Sequence, residues 1–248
     1  ILLLKEFTGQ NGSRESISPL VYYYLGYYAG RLGRTVEMKH YYSQAEMQSP
    51  DFVFPFQHEA VKILKNAIEV MPYDAKAPYY LGNLLYDWQP AEAIKQWKES
   101  ASLDPDLSIV NRNLALGYAN QENDLNKAIK SLEKAVSAEK KYAMHFFELD
   151  ELYQAAGVSP EKRLKMLEDN HEIVNRRDDA LSHEIALKVF NGKYQEALDL
   201  MKNRQFNVWE GGARFNVNDY WTDAYIILGH SEMKKHNFNA GPSILPRI

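Results

Sequence analysis

The sequence predicts an all-α fold, a solenoid of about six helix-turn-helix repeats. Three observations carry that prediction. Small and large apolar residues recur at a spacing of about 35 residues, as from Ala93 to Ala128 and from Tyr118 to Tyr153. Within a period, a leucine is followed directly by a small residue: Leu25-Gly26, Leu81-Gly82, Leu114-Ala115. Turn and stop residues then punctuate the helical stretches, as at Gly33, Pro105 and Gly192. A helix pair of this kind has one apolar face too large to bury alone, so each pair must stack on its neighbours.

The elements follow in order. Residues 1–17 read as a short apolar stub and linker. Ser18-Pro19 opens the first helix, with Ser at the N-cap and Pro at the first helical position. Gly33 is its turn, and Ser49-Pro50 ends the second helix. The stretch from Asp51 to Pro72 is irregular. Ala60, Leu64, Ala67 and Pro72 fit a second helix, but no clean first helix precedes them, so either an extra helix or a drifted first helix is expected. The best repeats run over 74–105, 106–139 and 141–175. Asp124 and Ser159-Pro160-Glu161 mark helix starts. A fifth repeat, 178–204, carries Gly192, Tyr194, Ala197 and Met201. A sixth starts near Tyr220, with Leu228-Gly229, and stops where Gly241-Pro242 and Pro246 oppose a further helix. The repeat array is thus expected over 18–240, with 241–248 as a tail or truncated repeat.

Composition excludes several classes. The chain has 248 residues, 45% hydrophobic and 25% charged, which is ordinary for a globular protein. A net charge of −4 argues against a general nucleic-acid binder. With no Cys there is neither a disulfide frame nor thiolate chemistry, and bacterial cytoplasm and envelope are both compatible. No apolar run approaches the roughly 18 residues of a membrane helix. The chain begins with Ile1 rather than Met, so a fragment or processed product is expected. Tyr, at 17, exceeds what core positions require.

No catalytic constellation emerges. Three His-Glu pairs occur, at His58-Glu59, His171-Glu172 and His183-Glu184. None continues to a zinc-binding H-E-x-x-H, because Lys62, Asn175 and Leu187 occupy the second His position. All three pairs read as solvated helix faces. Asp178-Asp179 suits a helix start, where it favours the dipole. There is no phosphate-binding loop and no nucleophile elbow. The chain therefore reads as a non-enzyme without cofactor or metal.

The pattern Leu114, Ala115 and Tyr118 on a first helix, with Ala93, Trp97, Ala101 and Pro105 on a second, resembles the tetratricopeptide repeat family. That resemblance implies a right-handed superhelix whose first helices line a concave groove. Carried over from each Leu-small pair, the groove positions are Tyr23, Tyr27 and Arg31; Tyr79, Asn83, Tyr86 and Asp87; Arg112 and Asn120; and Phe147, Glu151 and Gln154. Aromatic plates with amide and charged groups between them suit an extended ligand. Packing between helices is the other reading of each tyrosine. The segment from Asn203 to Trp221 is long for an inter-repeat link, and Arg204, Trp209 and Glu210 are its candidate contacts. Trp209 reads either as a plug between repeats or as a ligand contact.

Phe54-Pro55-Phe56, Asp150 and Trp209-Glu210-Gly211-Gly212 also resemble a group of large bacterial proteins. In those, such repeats follow a β-rich domain of unassigned function linked to carbohydrate metabolism. That domain is absent here, so any activity located in it is not assigned to this chain. The expected function is a non-catalytic interaction scaffold that binds a peptide or partner domain in the groove. The alternative is a carbohydrate-associated module with an aromatic groove. A structural spacer or dimerisation element comes third, and the oligomeric state stays open.

Overall fold

The computed structural model describes residues 17–202, 204–206 and 217–234. Of these, 74% are helical, with no strand among them. The contacts divide the chain into two compact units, one ending at Ala138 and the other beginning at Glu139.

The first unit is built from helix hairpins. Helix α1 (Pro19–Arg31) pairs with α2 (Thr35–Met47), and Pro19 sits at the first helical position as read from the sequence. Helix α3 (Ala60–Val70) lies against α1 and against α4 (Lys76–Leu85). Helix α4 pairs with α5 (Pro90–Leu103), which meets α6 (Ser108–Asn120), and α6 pairs with α7 (Leu125–Ala138). Asp124 starts α7 as expected, its Oδ1 accepting the Lys127 N–H at 3.0 Å. Asp74 does the same for α4, accepting the N–H groups of Lys76 at 2.8 Å and Ala77 at 3.2 Å.

The small-residue positions do what the repeat requires. A Cβ on Gly26 would lie 2.4 Å from the Tyr42 ring, and one on Gly82 would lie 2.4 Å from the Trp97 ring. Only glycine permits that approach of α1 to α2 and of α4 to α5. Of the two readings of the irregular stretch, the structure has the extra helix. Residues 48–59 are non-helical, and α3 stands without a first helix of its own. Large rings span the resulting distance from α1 to α4. Tyr23, Tyr42, Tyr79 and Tyr80 are buried, and Tyr23 lies 6.1 Å from Tyr42 and 6.0 Å from Tyr80, centroid to centroid.

In the second unit α8 (Ala143–Ala155) contacts α9 (Pro160–Glu168) and the single turn α10 (His171–Val174). Helix α11 (Asp178–Phe190) packs against α8, α9, α12 (Tyr194–Met201) and α13 (Val217–Lys234). Enclosed by five neighbours, α10 among them, α11 is buried without a break from Ala180 to Val189. A helix buried all round has no polar face to spare. Its polar residues Ser182, His183, Glu184 and Lys188 are buried too. Among the described residues there are five complete pairs, α1/α2, α4/α5, α6/α7, α8/α9 and α11/α12, with α3, α10 and α13 single. None of these helices is long and apolar enough to cross a membrane.

Candidate functional site

The candidate surface in the first unit is the stripe carried by the first helices α1, α4 and α6. Two of its expected rings are not on it. Tyr23 and Tyr79 are 0% and 1% exposed and belong to the core. The Tyr23 hydroxyl donates to Asp74 Oδ2 at 2.6 Å, and the Tyr79 ring packs 4.9 Å from Tyr80. The cause is the missing first helix before α3, which leaves these rings to fill a seam instead of facing outward. Burial, joined by the neighbouring Asp74 carboxylate, drives the Tyr23 pKa well above the ordinary phenol value. Burial also raises the Asp74 carboxyl, against the opposing bonds from Tyr23, Lys76 and Ala77.

The other positions remain at or near the surface. Tyr27 is half-buried, edge-on to Tyr28 at 5.5 Å, with Lys62 Nζ 5.8 Å from its ring centre. Arg31, Asp87 and Asn120 are exposed, and Arg112 is half-buried. Asn83 ties three helices together. Its Oδ1 accepts the Trp97 Nε1–H of α5 at 3.0 Å and the Asn113 Nδ2–H of α6 at 2.7 Å. Beside it Tyr86 packs on Trp97, ring centres 5.0 Å apart. Its hydroxyl is enclosed and has no hydrogen-bond partner among the described residues. These contacts hold the Asn83 and Tyr86 side chains in place.

In the second unit, α8 presents Phe147 half-buried and Glu151 exposed. Phe147 lies 4.7 Å from the His183 ring, and Gln154 Oε1 accepts from Arg163 Nη2 at 3.1 Å. Arg204 is engaged within its own unit. Its guanidinium donates to Asp178 Oδ1 at 2.9 and 2.6 Å and to the Asn175 carbonyl and side chain at 3.0 and 2.6 Å, pinning the start of α11. Trp209 and Glu210 lie outside the described residues.

The reading of His183-Glu184 as a solvated face is corrected. They are 3% and 1% exposed, because α11 is enclosed on every side. At their centre is Asp150, fully buried, on which Arg163 closes a two-bond fork at 2.8 and 2.7 Å. His183 Nδ1 meets the same carboxylate at 2.7 Å. Burial alone would raise the Asp150 carboxyl, but Arg163 and His183 outweigh it and hold it below the usual range. A second cluster adjoins. His171 Nδ1 lies 2.8 Å from Glu184 Oε2, and Lys188 donates to Glu168 at 2.5 Å and Glu196 at 2.8 Å. Sequence reasoning missed this lattice. The signal was Asp150 itself, a carboxylate at the position where Gly26, Gly82 and Ala115 are small, which calls for a cation on the next helix.

The His183–Asp150 pair has the chemistry of a proton relay, and both groups are buried. Among the described residues no cluster of His, Asp and Glu is arranged to hold a metal ion.

No family model matches the sequence. The structure is similar to that of YrrB, described as a TPR protein with an unusual peptide-binding site, at 19% identity and a TM-score of 0.52. That match covers 74% of this chain and 89% of YrrB. It is also similar to PilF of Pseudomonas aeruginosa, at 14% identity and a TM-score of 0.50, covering 91% of this chain and 88% of PilF. At such identities the likeness is one of fold. The fold is that of tetratricopeptide-repeat proteins, all-α and made of stacked helix pairs.

Proposed function

We propose that this protein is a non-catalytic interaction scaffold that binds a peptide segment or partner domain along its first helices. The observation that carries this reading is the Asn83 junction. One amide oxygen locks α4, α5 and α6 together beside a half-buried tyrosine, Tyr86, and an exposed carboxylate, Asp87. Tyr27, Arg31 and Arg112 extend the same mixture of rings and charges on α1 and α6. In the second unit Phe147 and Glu151 offer a smaller surface of the same kind on α8. Rings supply area at low entropic cost, and charged groups fix register. With Tyr23 and Tyr79 in the core, fewer flat plates remain for stacking on sugars, which favours a peptide over a glycan.

The test is selection from a displayed random peptide library on the full chain, beside a glycan array. Peptides are expected to be retained and glycans not. Arg31→Ala with Asp87→Ala should weaken the selected peptides at least fivefold without changing the melt, since both side chains are exposed. Retention of glycans alone, or peptide affinities indifferent to that double variant, would sink the proposal.

A further inference from the structure

A second surface lies on the strap between α2 and α3. Phe52 has φ 59 and is 90% exposed. A bulky side chain in left-handed backbone is strained, and glycine or asparagine there would relieve the strain and remove an exposed ring. Beyond it the side chains alternate. Val53 is buried and Pro55 half-buried, whereas Phe54 and Phe56 are 70% and 82% exposed. That period of two is the signature of an extended segment with one face outward. Beside Phe56 opens an apolar cleft of about 210 Å³, walled by Leu20, Val21, Tyr24, Pro55 and Ala60. The Tyr24 hydroxyl donates to Gln57 Oε1 at 2.8 Å and holds the end of the strap against α1. No charged residue stands between Phe52 and Gln57.

Area selects the occupant. Three rings at these exposures leave roughly 500 Å² of apolar surface, taking about 200 Å² per ring. That is the size of the largest patch on a typical monomer, which is often functional. It falls short of the roughly 800 Å² per partner of a stable protein pair, so it suits a short segment better than a second copy. We propose that the strap docks an extended, uncharged apolar segment of another protein. One aliphatic side chain enters the cleft, and its alternate neighbours lie on Phe54 and Phe56. This surface is distinct from the first-helix stripe and does not depend on it.

Two fluorescein-labelled peptides of one composition, SLSLSLS and SSLLLSS, separate the possibilities when titrated against the full chain by anisotropy. The alternating peptide is expected to bind at least fivefold more tightly than the block peptide. Phe54→Ser with Phe56→Ser should weaken it at least tenfold with the circular dichroism melt unchanged. Arg31→Ala with Asp87→Ala should leave it unaffected. Equal binding of the two peptides, or binding that survives loss of both phenylalanines, overturns the proposal. So does sedimentation showing self-association that the double substitution abolishes, because the occupant would then be a second copy.

Discussion

The two units solve the same packing problem with different chemistry. In the first, a cluster of tyrosines bridges helices where a repeat lacks its first helix, and the one buried carboxylate among them, Asp74, is raised by its burial. In the second, the space at a small-residue position is taken by Asp150, and a lattice of ion pairs runs through α8, α9 and α11. Ring packing tolerates loss by degrees, since each contact is weak and non-directional. A buried ion pair does not, because removing one partner strands the other without water.

The largest effect should therefore come from Asp150. Asp150→Ala removes the buried carboxylate that Arg163 and His183 share and is expected to cost about 3–5 kcal/mol. Urea unfolding of the full chain measures it. Adding Arg163→Leu should recover much of that loss, and no recovery would mean that the fork is not what holds α8 to α9. Next comes Gly82→Leu, which meets Trp97 at once and should cost about 1–3 kcal/mol. Gly229 on α13 makes the contrast. A Cβ there has nothing within 4 Å among the described residues, so Gly229→Leu should change stability by less than about 0.5 kcal/mol. Equal costs at Gly82 and Gly229 would break the assigned repeat register.

Acid should separate the units by sign. The Asp150 and Glu168 carboxyls are held low, so their stabilisation is complete above the ordinary carboxylate pKa and is lost as pH falls through their folded values. The Asp74 carboxyl is raised, so its penalty is present at neutral pH and is relieved as pH falls through its folded value. Between roughly pH 5 and pH 3, amide exchange in α9 and α11 should accelerate before that in α1 and α4. The reverse order would contradict the contrast. Tyr23→Phe is a smaller break, about 1–2 kcal/mol, because Asp74 keeps its two backbone donors.

What was legible in the sequence was what the repeat itself dictates. Gly26, Gly82 and Ala115 could be placed because close helix approach needs small residues at a fixed spacing. Asp124 could be placed because a helix start needs an acceptor. Tyr23 and Tyr79 misled because counting from Leu-Gly assumes that every first helix has another beside it. The strap at 48–59 breaks that assumption. His183-Glu184 misled because two polar residues in a row look solvated until the neighbours of α11 are known. For Arg204, sequence offered a long segment and a charge, but not the Asp178 carboxylate waiting 26 residues earlier.

The proposed function is tested most directly by hydrogen–deuterium exchange on the full chain with and without a library-selected peptide. Added protection is expected in first helices, in α4 and α6 beside the Asn83 junction and in α1 around Tyr27 and Arg31. Protection confined to the second helices α2, α5 and α7, or none at saturating peptide, would contradict it.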